Sequence, residues 1–319
     1  MTAEVLRVRD LRVRYYTPRG TVRAVEEVSF SLRQGEKLGL VGESGSGKST
    51  IALALMRLIR QPGRIESGQI LLGESNLLAL SDEQMRLTRF ARISLVPQGA
   101  MNSLNPVMRI KHQLGDTIRA HETGKDGQDV DARIAELMEW VGLRKSVANM
   151  YPHELSGGMK QRVCIAMGIC LRPQVIIADE PTSALDVVVQ RQVMDTLDSV
   201  QAQLGAAVIL VGHDMGLMAQ FVDRIAVMYA GRLVEIGPVE QVFDESLHPY
   251  TRLLIATLPS LEVRSAFRGI PGIAASPLDP PNGCTFHPRC PWAIERCSEE
   301  APAYRQVRPG RWAACHLAV

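Results

Sequence analysis

An α/β fold with a parallel sheet is predicted by three observations in this 319-residue sequence. Lys37-Leu38-Gly39-Leu40-Val41 is a short apolar run of the kind buried on both faces of a parallel sheet. A glycine-rich stretch follows it, and then Ile51-Ala52-Leu53-Ala54-Leu55-Met56, a run of good helix formers. Val175-Ile176-Ile177-Ala178 and Ala206 to Val211 have the same buried-strand character as the first run.

The glycine-rich stretch is Gly42-Glu43-Ser44-Gly45-Ser46-Gly47-Lys48-Ser49-Thr50. It fits G-x-x-x-x-G-K-[ST], the P-loop, and it has the strand before it and the helix after it that the motif requires. The glycines allow sharp turns and let backbone N–H groups point at phosphate oxygens. The following helix adds the positive end of its dipole. Lys48 can reach the β- and γ-phosphates, and the Ser49 hydroxyl can sit on Mg²⁺. The motif specifies a nucleoside triphosphate, but neither which one nor its use.

Composition sets the bounds. Apolar residues make up 46% and charged residues 22%, the balance of an ordinary soluble globular chain. A formal net charge of +2 gives no electrostatic case for nucleic acid. No apolar run approaches the roughly 20 residues of a membrane helix. Met1 to Asp10 alternates charge with Val and Leu, and is expected to be a first strand and not a signal peptide. Any membrane role is therefore expected to run through partners.

Residues 4 to 33 read as β structure, with Val28 to Arg33 alternating at a strand's period of two. Tyr15 and Tyr16 precede the turn at Thr17-Pro18-Arg19-Gly20. They read either as strand aromatics or as a platform for a base. Strands are expected at 68–72 and 91–96, the second running into Pro97-Gln98-Gly99. From about 100 to 150 the pattern is helical, with a polar loop near 122–131. Leu155-Ser156-Gly157-Gly158-Met159-Lys160-Gln161 opens another helix. The strand Val175 to Ala178 delivers Asp179-Glu180 at its C-terminal end, where open α/β sheets bind ligands. Ala206 to Val211 likewise leads to Gly212-His213-Asp214.

Taken together, these motifs resemble the ATP-binding subunits of ABC transporters, over essentially the whole chain. Leu155 to Gln161 resembles that family's signature, and Ile177-Ala178-Asp179-Glu180-Pro181-Thr182-Ser183-Ala184-Leu185-Asp186 its acidic strand end and D-loop. The resemblance implies an α/β P-loop nucleotide-binding domain at residues 1–245. It would carry an antiparallel β lobe, a helical lobe inserted at about 99–163, and a C-terminal cysteine-containing extension at 246–319. It also implies roles. Tyr15, with Tyr16 the alternative, stacks on adenine, and Gly42, Ser44, Gly45, Ser46, Gly47, Lys48, Ser49 and Thr50 hold the phosphates. Asp179, with Ser49 and Gln98, organises Mg²⁺. Glu180 is the general base, Gln98 touches the attacking water, and His213 lies near the γ-phosphate. Ser156, Gly157, Gly158 and Asp186 serve the ATP of a facing subunit.

Val96 to Pro106, Tyr151 to Glu154, Val227 to Gly231 and His248 to Thr251 resemble the dipeptide and oligopeptide importers within that family. Gly99 departs from the acidic residue expected after the glutamine. The implied partners are a second homologous ATPase, two membrane permeases and an extracytoplasmic solute-binding protein, with no nucleic acid. The implied place is peripheral, on the cytoplasmic face of the bacterial inner membrane. Importers of nickel, opines or other solutes, and soluble ABC-type ATPases acting on DNA or ribosomes, are the alternatives.

Six cysteines remain. Cys164 and Cys170 lie in an apolar helical stretch and read as buried structural thiols. Cys284, Cys290, Cys297 and Cys315 fall in a tail of little periodicity, separated by five, six and seventeen residues. Such a tail is expected to need a staple to order itself. Gly283 to Pro291 resembles a C-terminal motif of peptide-importer ATPases that in some members binds a [4Fe–4S] cluster. Zinc is the chemical rival, with His287 and His316 as substitute ligands. Such a cluster is expected to be structural, and Cys290→Ser to loosen the tail while leaving ATP binding by the core largely intact.

Overall fold

The structure is a computed structural model and describes residues 3–99, 103–121, 127–258 and 269–318. Ala100-Met101-Asn102 of the stretch after Gln98, and part of the polar loop expected near 122–131, lie outside the described residues. In chain order the strands are β1 (Glu4–Thr17), β2 (Gly20–Arg33), β3 (Lys37–Val41), β4 (Gly63–Leu72), β5 (Ser75–Asn76) and β6 (Ile93–Val96). They continue as β7 (Val175–Asp179), β8 (Ala207–Gly212), β9 (Arg224–Tyr229), β10 (Arg232–Pro238), β11 (Arg305–Arg308) and β12 (Arg311–Ala313). The chain folds as two compact units, one of residues 1–5, 32–36 and 79–209, the other of 6–31, 37–78 and 210–319.

In the first unit β6 and β7 pair in parallel, with Ile93 opposite Val175 and Val96 opposite Ala178. All five residues of β7 are buried, as its unbroken apolar run demands. Helices Ile110–Arg119 and Gly127–Trp140 pack through Ile110, Leu114 and Ile118 on one and Val130, Ile134 and Leu137 on the other, all buried. Helix Gly157–Ile169 begins at Ser156, whose hydroxyl accepts from the Met159 N–H at 3.3 Å. Helix Val187–Leu204 begins at Asp186, whose carboxylate accepts from the Val189 N–H at 3.0 Å, and Gly205 ends it in the left-handed region. Each cap satisfies an N–H that the helix itself leaves unpaired.

In the second unit β2, β1, β4 and β5 form an antiparallel sheet, with Leu6 opposite Leu72 and Val8 opposite Ile70. This is the antiparallel β lobe that the resemblance implies. A separate ladder runs β3–β9–β10–β12–β11. Its first pair is parallel, with Leu40 opposite Ala226, and the others are antiparallel. Thus β3, the strand that feeds the P-loop, has β9 at its side.

The tail, read from its weak periodicity as burying little apolar surface of its own, packs on the rest of the second unit. Main-chain pairing attaches the tail, since Glu235 and Ile236 of β10 face Ala313 and Trp312 of β12. Aromatic packing attaches it as well: Tyr229, Tyr250 and Phe286 meet with ring centroids 4.7 to 5.3 Å apart. All three side chains are essentially fully buried, and burial of a ring of this size stabilises by about 1.5–3 kcal/mol. The tail thus lends strands and rings to the core of the second unit. His248, 1% exposed, caps helix Pro249–Ala256 by accepting the Tyr250 N–H on Nδ1 at 3.0 Å. Burial pulls its pKa down to about 3, so the ring stays neutral, as an accepting nitrogen requires.

Candidate nucleotide-binding site

In the second unit the chain leaves β3 and turns through Gly42 to Gly47 into helix Lys48–Leu55. Two glycines are required by close approach. At Gly42 (φ +150°) a Cβ would lie 2.2 Å from the Met228 carbonyl oxygen. At Gly47 (φ +104°), the residue that caps the helix, a Cβ would lie 2.2 Å from the Ala24 carbonyl oxygen. The loop is therefore seated directly on main chain, as a cradle built from backbone N–H groups must be. Lys48, 6% exposed, donates through Nζ to the carbonyls of Gly42 at 2.8 Å and Glu43 at 2.9 Å and to the Ser46 hydroxyl at 3.4 Å. Its ammonium is held over the loop it is expected to serve. The donor set, a glycine cradle, a helix N-terminus and a buried lysine, fits a nucleotide's phosphates.

Tyr15 is half-buried and packs on Gly63, where a Cβ would come within 2.6 Å of its ring. Tyr16 is exposed, donates its hydroxyl to Glu66 at 2.9 Å and lies under the Arg64 guanidinium. His213 follows β8 and is exposed, and its neighbour Asp214 caps the next helix.

In the first unit β7 ends with Asp179, 5% exposed. Glu180 comes next with φ +44°. A left-handed conformation is uncommon for a residue with a Cβ, and such outliers concentrate at active sites. The Glu180 carboxylate accepts from Gln98 Nε2 at 2.8 Å. Nothing in the residues apart from the resemblance joins Gln98 to Glu180, which lie 82 positions apart; the structure brings them into contact. Ser156 and Asp186 appear as helix caps, and Gly158 sits where a Cβ would strike Val189 at 2.5 Å. The signature glycine thus lets its helix approach the one that starts at Asp186.

Cys164 and Cys170 are buried, and burial pushes the Cys164 thiol up to about 12, the state of inert structural thiols. The tail cysteines differ. Burial first, and then Cys297, Cys315 and Cys290, raise the Cys284 thiol to about 11. Cys315 is raised by burial and then by Cys290 and Cys297. The four thiols therefore share one neighbourhood, and Cys284 N–H donates to the Cys297 carbonyl at 2.8 Å. They do not stand as ligands: among the described residues no three His, Cys, Asp or Glu side chains group closely enough to hold a metal. The cluster that the resemblance of Gly283 to Pro291 implies thus finds no closely grouped ligand set among the described residues. The donor chemistry suits an iron–sulfur group; the present arrangement does not.

Sequence reasoning also missed a set of residues around the P-loop. Glu43, one of the unspecified positions of the motif, is held by Arg289 and Tyr250 from the tail. No local signal marks such a contact, since it spans more than two hundred positions.

The strand–loop–helix geometry and the strand-end acids define a P-loop nucleoside triphosphatase with the α/β fold of ABC cassettes. The chain belongs to the ABC transporter family, whose model matches residues 25–183. A second model, described as the oligopeptide/dipeptide transporter C-terminal region, matches residues 234–297. The chain is 41% identical to the dipeptide transport ATP-binding protein DppD of Caldanaerobacter subterraneus subsp. tengcongensis, over 98% of this chain and 97% of that one. It is 43% identical to the oligopeptide transport ATP-binding protein OppD of Escherichia coli, over 98% of this chain and 92% of that one. Among solved structures it resembles a dimeric bacterial ABC transporter cassette at 26% identity and a TM-score of 0.66, covering 73% of this chain and 98% of that one. ATP-binding subunits of this family hydrolyse ATP to drive transport, and this chain is an enzyme of that class. Among the described residues no helix is long and apolar enough to cross a membrane.

Proposed function

We propose that this chain binds and hydrolyses ATP to power uptake of dipeptides, oligopeptides or a related small solute through a membrane complex. The observation that carries the reading is Glu180, in a left-handed conformation at the end of β7, bonded to Gln98 and preceded by buried Asp179. The peptide branch is supported by the match of residues 234–297 to the oligopeptide/dipeptide C-terminal region. Residues 1–245 serve as the nucleotide-binding domain, with the helical lobe at about 99–163, and 246–319 as the extension.

Phosphoryl transfer to water requires positioning and charge stabilisation more than covalent help. Gly42, Ser44, Gly45, Ser46, Gly47 and Thr50 line the phosphates, Lys48 neutralises them, and Tyr15 or Tyr16 stacks on adenine. Ser49, Asp179 and Gln98 would hold Mg²⁺, which would supply charge neutralisation to the phosphates. Gln98 orients the attacking water, Glu180 accepts its proton, and His213 donates to phosphate. Ser156, Gly157, Gly158 and Asp186 act on the ATP of a facing, homologous ATPase. The chain works on the cytoplasmic face of the inner membrane with two permeases and a solute-binding protein.

Purification of the tagged chain from native membranes should bring down permeases and a second ATPase, and these should raise its turnover. Rapid hydrolysis by the lone chain at low concentration, with DNA or ribosomes and no permease recovered, favours the soluble alternative.

For the tail we propose that Cys284, Cys290, Cys297 and Cys315 take up a [4Fe–4S] cluster. Four thiols in one stretch of the tail, a sufficient ligand set for such a cluster, support this. Anaerobically purified protein should be brown, with about four irons per chain, and Cys290→Ser should bleach it. Colourless protein with one stoichiometric zinc, or with neither metal, overturns the cluster.

A further inference from the structure

Arg289 lies in the single helical turn His287–Arg289, between Cys284 and Cys290. Its side chain is 4% exposed. Every N–H of its guanidinium is used. Nε donates to the Pro271 carbonyl at 2.9 Å. Nη1 donates to Glu43 Oε2 at 2.7 Å and the Tyr229 hydroxyl at 3.3 Å. Nη2 donates to Glu43 Oε1 at 3.0 Å and the Ile270 carbonyl at 3.2 Å. The paired bonds to Glu43 form the planar fork that arginine makes and lysine does not. The guanidinium also lies 5.7 Å from the Tyr229 ring centre and 5.9 Å from that of Phe286.

Glu43 is a member of the phosphate loop, two bonds of whose main chain are already committed. Its N–H donates to the Tyr250 hydroxyl at 2.9 Å, and its carbonyl accepts from Lys48 at 2.9 Å. A free carboxylate on a loop that must receive a polyanion would repel it. Here the carboxylate is neutralised and fixed by a cation delivered from the cysteine-bearing tail.

We propose that Arg289 is a positioning residue for nucleotide binding: by pairing Glu43 it removes a like charge from the phosphate loop and fixes the loop's shape, so that the tail sets the affinity for ATP. The inference rests on the P-loop being the ATP site. It predicts that changes which displace the turn between Cys284 and Cys290 are felt as a change in ATP affinity.

The test is MgATP binding to the full chain, together with KM and kcat of the assembled transporter's ATPase. Wild type must bind and turn over MgATP; if it does neither, the ATPase reading itself fails and the proposal is not what was refuted. Arg289→Ala should raise Kd and KM on the order of tenfold, the effect of about one uncompensated like charge, with kcat at saturating ATP little changed. Adding Glu43→Gln to Arg289→Ala should restore most of the affinity, because the repelling charge is then gone. A scaffold defect would not be repaired by removing a charge. Arg289→Lys should fall between, and with Glu43→Gln gives the same comparison if Arg289→Ala does not fold. Unchanged KM in either Arg289 variant, or a loss that Glu43→Gln leaves in place, overturns the proposal.

Discussion

Glu180→Gln is expected to lower ATP turnover about 10²- to 10⁴-fold while leaving ATP binding in place. The substitution keeps the size of the side chain, and its amide oxygen can still accept the Gln98 Nε2 bond that the carboxylate accepts at 2.8 Å. What it removes is the capacity to take a proton from water. Glu180 sits in a left-handed conformation after a fully buried strand, so its carboxylate is aimed by the end of β7 and held by Gln98. A base fixed in this way needs no rearrangement when the proton moves. Single-turnover and steady-state hydrolysis in the assembled complex, with nucleotide binding measured alongside, decide the matter. Near-normal hydrolysis would reject Glu180 as base. Lys48→Ala supplies the contrast, because its loss should appear in binding itself.

The second large effect is one of stability. Arg311→Met should destabilise the second unit by about 3–5 kcal/mol, the usual result of leaving one member of a buried ion pair alone. Arg311 and Glu235 have side chains 2% and 0% exposed and meet at 2.9 Å. Glu235 also accepts the N–H groups of Leu247 at 2.9 Å and His248 at 3.0 Å, and Arg311 donates to the Glu245 carbonyl. Without Arg311 the carboxylate keeps two backbone donors and loses its countercharge. The double variant Arg311→Met with Glu235→Leu should recover much of the loss, since an apolar pair of similar volume carries no desolvation cost. Denaturant unfolding of the full chain measures both. Equal stability of the single and double variants would reject the buried-charge explanation. Hydrogen exchange should place the weakening at β10 and β12, whose ladder the pair lies beside.

Much of the candidate site was legible because its chemistry is local. Gly42 to Gly47 form one loop that runs directly into a helix at Lys48, and a loop's need for close approach shows as glycine within a few positions. The same holds for β7 delivering Asp179 and Glu180, and for Ser156 and Asp186, each of which caps the helix that follows it by accepting the N–H three positions on. The tail was read less well. Its hairpin, β11 to β12, turns at Pro309-Gly310, with Gly310 at φ +72°. That proline–glycine pair is a turn signal overlooked because the flanking strands are only four and three residues long. Strands so short show no periodicity; they are stable because β10 supplies the partner.

By itself, then, the sequence determined the phosphate loop, the acidic strand end, the signature and the family. Only the tertiary structure decided that Glu180 takes a left-handed backbone against Gln98, that Arg289 holds Glu43, and that Arg311 neutralises Glu235. The physical reason is range. Capping, turn formation and strand burial act over a few residues and leave a pattern in the chain. A buried charge is stable only beside its partner, and for Arg289 that partner lies 246 positions away, where no spacing records it.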